Sequence, residues 1–331
     1  MGDYTRHWQP VLLSRHLGRK PVHVSVGDRE LVAFRTRSGQ VGVLQYRCPH
    51  RGMPLSEGKV VGETLKCAYH GWCYAANGIG QSPGSPQLRL QADHFDAEDR
   101  FGLIWVKDSR STEPFPDLAP SDVKHVHTIR AVVPTPVELL LDNFTEVEHT
   151  GVAHLLFGYT NERLHEVTFE TTVEDGAVHS RSEGPQKRLL PGASAILGIE
   201  TGDRFVVDWV ATGDPLRAIY QMHWEDPRTG ARRPYRMYEV AYFDALGPNR
   251  SAVAAMYFAE MTLAPVPGAF SIIKAFMAGL TEVEYRLDVR ILRALKTQDR
   301  SLQHCKLSRF DSSLVEQRKL FFPEEEPSSP T

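Results

Sequence analysis

The chain has 331 residues, 41% of them hydrophobic and 24% charged, with a net charge of −3 and four cysteines. That balance is ordinary for a globular protein, offers no basic surface for nucleic acid or an anionic membrane, and holds too few cysteines for a disulfide scaffold of this size. No apolar run reaches the length of a membrane span. The opening MGDYTRHWQPVLLSRHLGRK lacks the apolar core and cleavage site of a signal peptide, and MGDYTR does not fit the myristoylation pattern. A reducing cytoplasm, in which thiols are free to bind metal, is the expected location.

Residues 8–110 are expected to be β-rich. KPVHVSVGDRELVAFRTRSGQVGVLQYRC alternates short apolar runs with turn signals at Gly27-Asp28 and Ser38-Gly39, the pattern of consecutive antiparallel strands. Further turns are signalled at Asn77-Gly78 and in QSPGSP, and FGLIWVK closes the region as a last strand. DSRSTEPFPDLAPSD, residues 108–122, is rich in Pro, Ser and Asp with little to bury. It divides the chain into a domain at 1–110, a linker at 111–122 and a second domain at 123–331. PTPVELLLDNFTEVEHTGVAHLLFG then reads as a helix after Pro136. HEVTFETTVEDGAVHSRSE, RFVVDWVAT, LRAIYQMHWED, YRMYEVAYFDAL and SAVAAMYFAEM read as long strands, and FSIIKAFMAGLTEVEYRLDVRILRALKTQDRSLQH as a helix. Strands followed by a long terminal helix argue for an α+β domain with an antiparallel sheet. The closing PEEEPSSPT is expected to be mobile.

Two Cys-His couples stand in residues 48–72: Cys48 with His50, and Cys67 with His70, with sixteen residues between the couples. A zinc ion takes two Cys and two His readily. Each couple, however, pairs one thiolate with one imidazole. A two-iron cluster can therefore take both sulfurs on one iron and both imidazoles on the other, the mixed ligation of a Rieske centre. Glycines follow each couple, where bridging sulfides need close N–H donors. Each couple also lies between strand signals, which suits two hairpin loops closing on a cluster.

This stretch resembles the Rieske signature of a C-x-H and a C-x-x-H couple. The wider segment from HWQPVLL to GIGQSPGSP resembles the N-terminal domain of Rieske non-haem iron oxygenase α-subunits. The resemblance implies that Cys48 and Cys67 ligate one iron of a [2Fe–2S] cluster and His50 and His70 the other. It also implies that Arg51 touches the cluster surroundings or a partner surface and that Trp72 covers the cluster. Cys73, in HGWCY, reads as a packed thiol.

In the second half, LDNFTEVEHTGVAH holds His149 and His154, five apart. On an unbroken helix such a pair shares no face; a helix that bends or ends near Gly151 lets the two rings converge. With Asn143 and Glu146 the pair resembles the family motif (D/N)-x-x-(D/E)-x-x-H-x(4)-H. There the two histidines ligate a mononuclear iron(II) as part of a two-His-one-carboxylate triad, leaving positions for dioxygen and substrate. By the same resemblance the third ligand lies in the terminal helix. Asp288, followed by Val289, Ile291 and Leu292, is the nearest match, with Glu284 one turn earlier as the alternative. Asn143 is implied to lie near the iron. Glu146 is implied to bridge electrons from His70 of a neighbouring chain to an iron-ligating His of its own, which calls for a ring of three subunits. His125, His127, His165, His179 and His304 have no ligand spacing around them, and His223 reads as a half-buried strand histidine or a pocket-lining one.

The family further implies an all-β Rieske domain followed by a helix-grip (START/Bet v1-like) catalytic domain. It implies a terminal oxygenase that uses O2 as co-substrate and takes electrons originating in NAD(P)H from a separate reductase or ferredoxin. The chain itself has no G-x-G-x-x-G after a strand and no ferredoxin Cys run. The length fits the homotrimeric monooxygenase and demethylase-like group. The expected reaction is hydroxylation or oxidative demethylation of a small, largely apolar organic substrate, with LAPVPGAFSIIKAFMAGL, ahead of Asp288, capping the pocket. The same residues would serve desaturation or cyclisation. An electron-transfer protein with a ligand-binding second domain would share the first centre alone.

Overall fold

Alternate side chains of a strand point to opposite faces, so a run that is apolar at every position marks a strand buried on both. Leu31 and Ala33 of RELVAFR enter one core with Val11, Ile104 and Val106. Val32 and Phe34 enter a second with Leu44, Leu65, Tyr74 and the two thiols Cys48 and Cys67. Each buried aliphatic side chain contributes about 1.5–3 kcal/mol. A computed structural model describes residues 4–155, 157–189, 192–261, 269–295 and 300–323. The tail from residue 324 lies outside the described residues, as do residues 262–268, where the segment expected to cap the pocket begins. The chain forms two compact units, Met1–Pro116 with Ala245–Gly247, and Asp117–Asp244 with Pro248–Thr331.

The first unit is all-β. Its strands are β1 (Gln9–Leu13), β2 (Val22–Val26), β3 (Arg29–Arg35), β4 (Val41–Gln45), β5 (Lys59–Val61), β6 (Thr64–Lys66), β7 (Cys73–Ala75), β8 (Ile79–Ser82), β9 (Ser85–Gln91), β10 (His94–Arg100) and β11 (Leu103–Asp108). They make a six-stranded sheet, β1-β11-β10-β4-β3-β2, and a five-stranded sheet, β5-β6-β7-β8-β9. The second core, with Cys48 and Cys67 in it, is shared by both sheets.

The second unit begins with β12 (Lys124–Val133), α1 (Val137–Thr145) and α2 (Glu148–Ala153). It continues with β13 (Thr168–Glu174), β14 (Ala177–Pro185), α3 (Ala193–Leu197), β15 (Arg204–Gly213), β16 (Leu216–Glu225), β17 (Arg232–Gly247) and β18 (Arg250–Met261), and ends with α4 (Ala269–Ala294) and α5 (Ser312–Phe321). Its seven strands form one sheet, β12-β18-β17-β16-β15-β14-β13, with antiparallel neighbours and α4 packed on β12. The α+β class is therefore as expected. Three local readings are corrected. The single helix expected after Pro136 is two helices, broken at Glu146. The single strand expected at HEVTFETTVEDGAVHSRSE is the hairpin β13–β14: Glu174 pairs with Ala177 across Asp175 and Gly176, both at positive φ (49° and 75°), a two-residue turn of the primed class. The terminal helix stops at Ala294, and a further helix, α5, follows. From α5, Arg318 pairs with Asp142 and the Ser313 hydroxyl donates to the Thr145 carbonyl (3.3 Å), which ties down the end of α1. Among the described residues no helix is long and apolar enough to cross a membrane.

Candidate metal centres

The two Cys-His loops share one backbone plan. Cys48 N–H donates to Met53 O (2.9 Å) and its carbonyl accepts from Gly52 N–H (2.9 Å). Cys67 N–H donates to Trp72 O (2.8 Å) and its carbonyl accepts from Gly71 N–H (3.2 Å). In each loop the residue four beyond the cysteine is a glycine at φ 70°, a left-handed conformation that side chains other than glycine's disfavour. The loops thus close identically and carry their thiols inward, where both are buried. Burial raises the Cys48 thiol against the opposing hydrogen bond from Tyr74, whose hydroxyl lies 3.3 Å from Cys48 Sγ. His50 and His70 lie at the exposed rim with ring centroids 4.6 Å apart. Trp72 stacks on His50 at 4.1 Å and 3°. Arg51 lies over the Tyr69 ring at 5.9 Å, and Cys73 donates to Gly71 O (3.4 Å), away from the couples.

Thiols are segregated inside and imidazoles at the rim. Among the described residues, the one trio of His, Cys, Asp or Glu donors within 4.8 Å of one another is elsewhere, at His149, His154 and Asp288. Two buried thiols on one side and two imidazoles on the other suit a two-iron cluster, sulfur-ligated on one iron and nitrogen-ligated on the other.

The second group is built on the break between α1 and α2. Glu146 leaves α1 in an extended conformation (φ −102°, ψ 156°). Its Oε2 accepts from the N–H of Glu148 (2.7 Å), and Oε1 receives the Nδ1–H of His149. The ring of His149 is thereby fixed with Nε2 turned away from Glu146. The two histidines converge because α2 ends at Ala153, two residues after Gly151, and His154 lies just past that end (φ −81°, ψ 154°). Lys187 holds that end: its ammonium donates to the carbonyls of Thr150 (2.9 Å), Gly151 (3.3 Å) and His154. Asp288 on α4 completes the trio. Its Oδ1 lies 3.0 Å from His154 Nε2 and 3.3 Å from His149 Nε2, and the two Nε2 atoms are 3.3 Å apart. Glu284, the alternative third ligand, is turned to the main chain, where both its oxygens accept from Leu155 N–H (2.9 and 2.8 Å).

Bonds of about 2.1–2.2 Å at right angles would set ligand atoms about 3.0–3.1 Å apart, so this triangle fits one face of an octahedral site, the two-His-one-carboxylate arrangement of iron(II). Its electrostatics favour a cation. Burial opposes charge on His149, yet hydrogen bonds to Asp288 and Glu146 lift the imidazole to about 9. Burial likewise raises Asp288, but the two histidines pull it below the usual carboxylate range.

The trio forms part of the wall of a cavity of about 830 Å³, counting the part open to solvent. Phe144, Phe157, Trp209, Tyr220, Met222 and Tyr285 give it an apolar, aromatic lining. Asn143 is buried at its edge with Oδ1 unpaired. His223 is on the opposite face of β16 from Met222, buried and paired with Glu225 (3.1 Å), and does not line it. Sequence reasoning missed Lys187, the capping role of Glu284, and Glu239, the one strand-borne acid on the cavity wall.

Residues 7–91 match the family model of the Rieske [2Fe-2S] domain. Methylxanthine N1-demethylase NdmA of Pseudomonas putida is 31% identical over 170 residues, 46% of this chain and 48% of that protein. The phenoxybenzoate dioxygenase subunit alpha of Ectopseudomonas oleovorans is 38% identical over 112 residues, 32% and 27% respectively. Protein TIC 55, chloroplastic, of Arabidopsis thaliana is 28% identical over 213 residues, 59% and 39%. The chain spans less than half the length of each of these relatives. The solved structure of dicamba monooxygenase bound to dicamba shares the fold, with a TM-score of 0.74 and 18% identity, covering 97% of each chain. So does that of NdmA from Pseudomonas putida CBB5 with caffeine, at 0.69 and 18%, covering 96% of this chain and 90% of that one.

Proposed function

We propose that this chain, which carries a Rieske [2Fe–2S] domain and is related to Rieske non-haem iron oxygenase α-subunits, is a terminal oxygenase that hydroxylates or oxidatively demethylates a small organic substrate. The observation that carries this reading is the convergence of His149, His154 and Asp288 on the wall of an aromatic cavity. In this reading Cys48, Cys67, His50 and His70 hold the cluster, and His149, His154 and Asp288 hold iron(II). Iron(II) so held supplies the dioxygen chemistry. The chain's own side chains do the rest. Glu146 fixes the tautomer and angle of His149, Lys187 and Glu284 clamp the main chain at His154, and the aromatic lining orients the substrate and keeps water out.

Electrons originating in NAD(P)H come from a separate reductase or ferredoxin to the exposed rim of His50 and His70. Glu146 connects to His70 of the partner subunit in a homotrimer, and Asn143 meets substrate or water beside the iron. The compartment is the cytoplasm, which keeps both buried thiols reduced. The test is His149→Ala. It should remove the mononuclear iron and oxygen-dependent turnover while the visible spectrum of the Rieske cluster stays intact. Persisting product formation would refute the oxygenase reading and leave an electron-transfer protein with a ligand-binding second unit.

A further inference from the structure

Two features of the cavity go beyond the holding of a metal. One is a row of side chains across four strands. Trp209 on β15 is in register with Tyr220 on β16, and Tyr220 with Glu239 on β17. Tyr257, on the next strand β18, donates its hydroxyl to the Glu239 carboxylate. All four line the cavity. The row follows from the period-two rule: Met237 and Glu239 of RMYEVAY share one face, so an acid stands where the strand presents its cavity side.

The other feature is charge. The described lining residues include no Lys or Arg and four carboxylates. Asp288 is engaged by His149 and His154, Glu146 by His149 and the start of α2, and Glu284 by Leu155 N–H. Among the described residues, Glu239 is bonded by the Tyr257 hydroxyl, with Asp288 near enough for its charge to be felt, and stands among aromatic rings. Burial pushes its carboxyl up to about 8 even with Tyr257 opposing the rise, so its ionised form is disfavoured there until a cation joins it.

We propose that Glu239, set between Tyr220 and Tyr257, is the substrate anchor of this cavity, and that the substrate presents a protonated or quaternary nitrogen on a small apolar body. The proposal rests on the reading of this cavity as the substrate pocket and deepens it by naming the chemical class. A carboxylate and the faces of aromatic rings together recognise an organic ammonium, the first by charge-assisted bonding and the second through the ring quadrupole. An anionic substrate would meet Glu239 and no lysine or arginine among the described lining residues.

Calorimetric titration of the ferrous holoprotein without oxygen reads binding independently of turnover. The probes are N,N-dimethylbenzylammonium, its uncharged counterpart N,N-dimethylbenzamide, and benzoate. The ammonium should bind at least about tenfold more tightly than the amide, with benzoate weakest, as a charge-assisted contact requires. In Glu239→Gln, whose intact fold is read from the Rieske absorption, that ratio should fall to about one with the amide affinity retained within about twofold. No measurable ammonium binding, a wild-type ratio near one, benzoate as tight as the ammonium, or a preference that survives Glu239→Gln each overturns the anchor. Should Glu239→Gln not fold, Glu239→Met is read in its place, with the same expected ratio and the same refuting outcomes. The oxygenase reading fails separately, by turnover in His149→Ala, which leaves these binding ratios unaffected as evidence.

Discussion

Lys187 offers a sharp test of how the His149, His154 and Asp288 trio is held together. Its ammonium is the common donor to the carbonyls of Thr150, Gly151 and His154, the acceptors that α2 leaves open at its end. Lys187→Met keeps the aliphatic stem and removes the charge and all three donors. A hydrogen bond to a charged group is worth about 1.5–3 kcal/mol, and the half-buried site lets water replace some of the three, so a total loss of about 2–3 kcal/mol is expected. Most of it should fall on the segment that presents the His154 ring, because all three carbonyls that the ammonium serves lie in that segment. Converted at 1.4 kcal/mol per tenfold, this predicts iron(II) affinity about 10–100-fold weaker, the usual range for a residue that orients a ligand. Chelator competition under anaerobic conditions measures it, with the melting temperature recorded beside it. Iron affinity within about twofold of wild type and an unchanged melting temperature would refute the clamp.

Two further outcomes follow from the same geometry. Asp288→Ala should abolish stoichiometric iron(II) binding, whereas Glu284→Gln, which still offers an acceptor to Leu155 N–H, should retain it; metal analysis of both variants decides, and the reverse pattern would make Glu284 the third ligand. Asp108 is buried and held at about 2, below its ordinary 3.8, by hydrogen bonds from Arg110, with burial opposing and Arg29 assisting. Its folded value is depressed, so its contribution is present above about pH 4 and lost as pH falls through about 2. Asp108→Asn should therefore cost roughly 1–2 kcal/mol at neutral pH, with the gap to wild type closing between about pH 4 and 2. Urea midpoints across that range measure it, and a gap independent of pH would sink the assignment.

Which residues stand together at the two candidate centres was largely legible because their spacing is local. Cys48, His50, Cys67 and His70 are close in sequence and lie on loops that main-chain bonds close. The pairing of His149 with His154 was legible, and so was a helix end near Gly151 as the means of their convergence, but the earlier break at Glu146 was not. Helical periodicity runs straight through FTEVEHTG, and nothing in the residue types announces that Glu146 leaves the helix to cap the next one. The turn at Asp175-Gly176 was visible as an Asp-Gly pair between apolar alternations and was passed over. Helix α5 carries little apolar patterning, and it is placed by contacts such as Arg318 with Asp142, 176 residues apart. Lys187 and Glu239 act through tertiary placement. For Glu239 there was a signal, an acid on the same face as Met237 within a strand otherwise built to bury that face. For Lys187 there was none, since the carbonyls it serves are 33–37 residues away.

The twin loops at Cys48 and Cys67 close on the same two main-chain bonds and the same left-handed glycine, yet His50 is the second residue after its cysteine and His70 the third. Arg51 therefore stands where the other loop has its histidine, and Tyr69 stands in the place of His50. Backbone and donor are separable here. The loop is a frame set by cysteine and glycine, and the two loops carry the imidazole at adjacent positions on the same frame. For protein engineering, that makes this pair a transplantable cassette in which donor identity and position can be varied one residue at a time on a fixed frame.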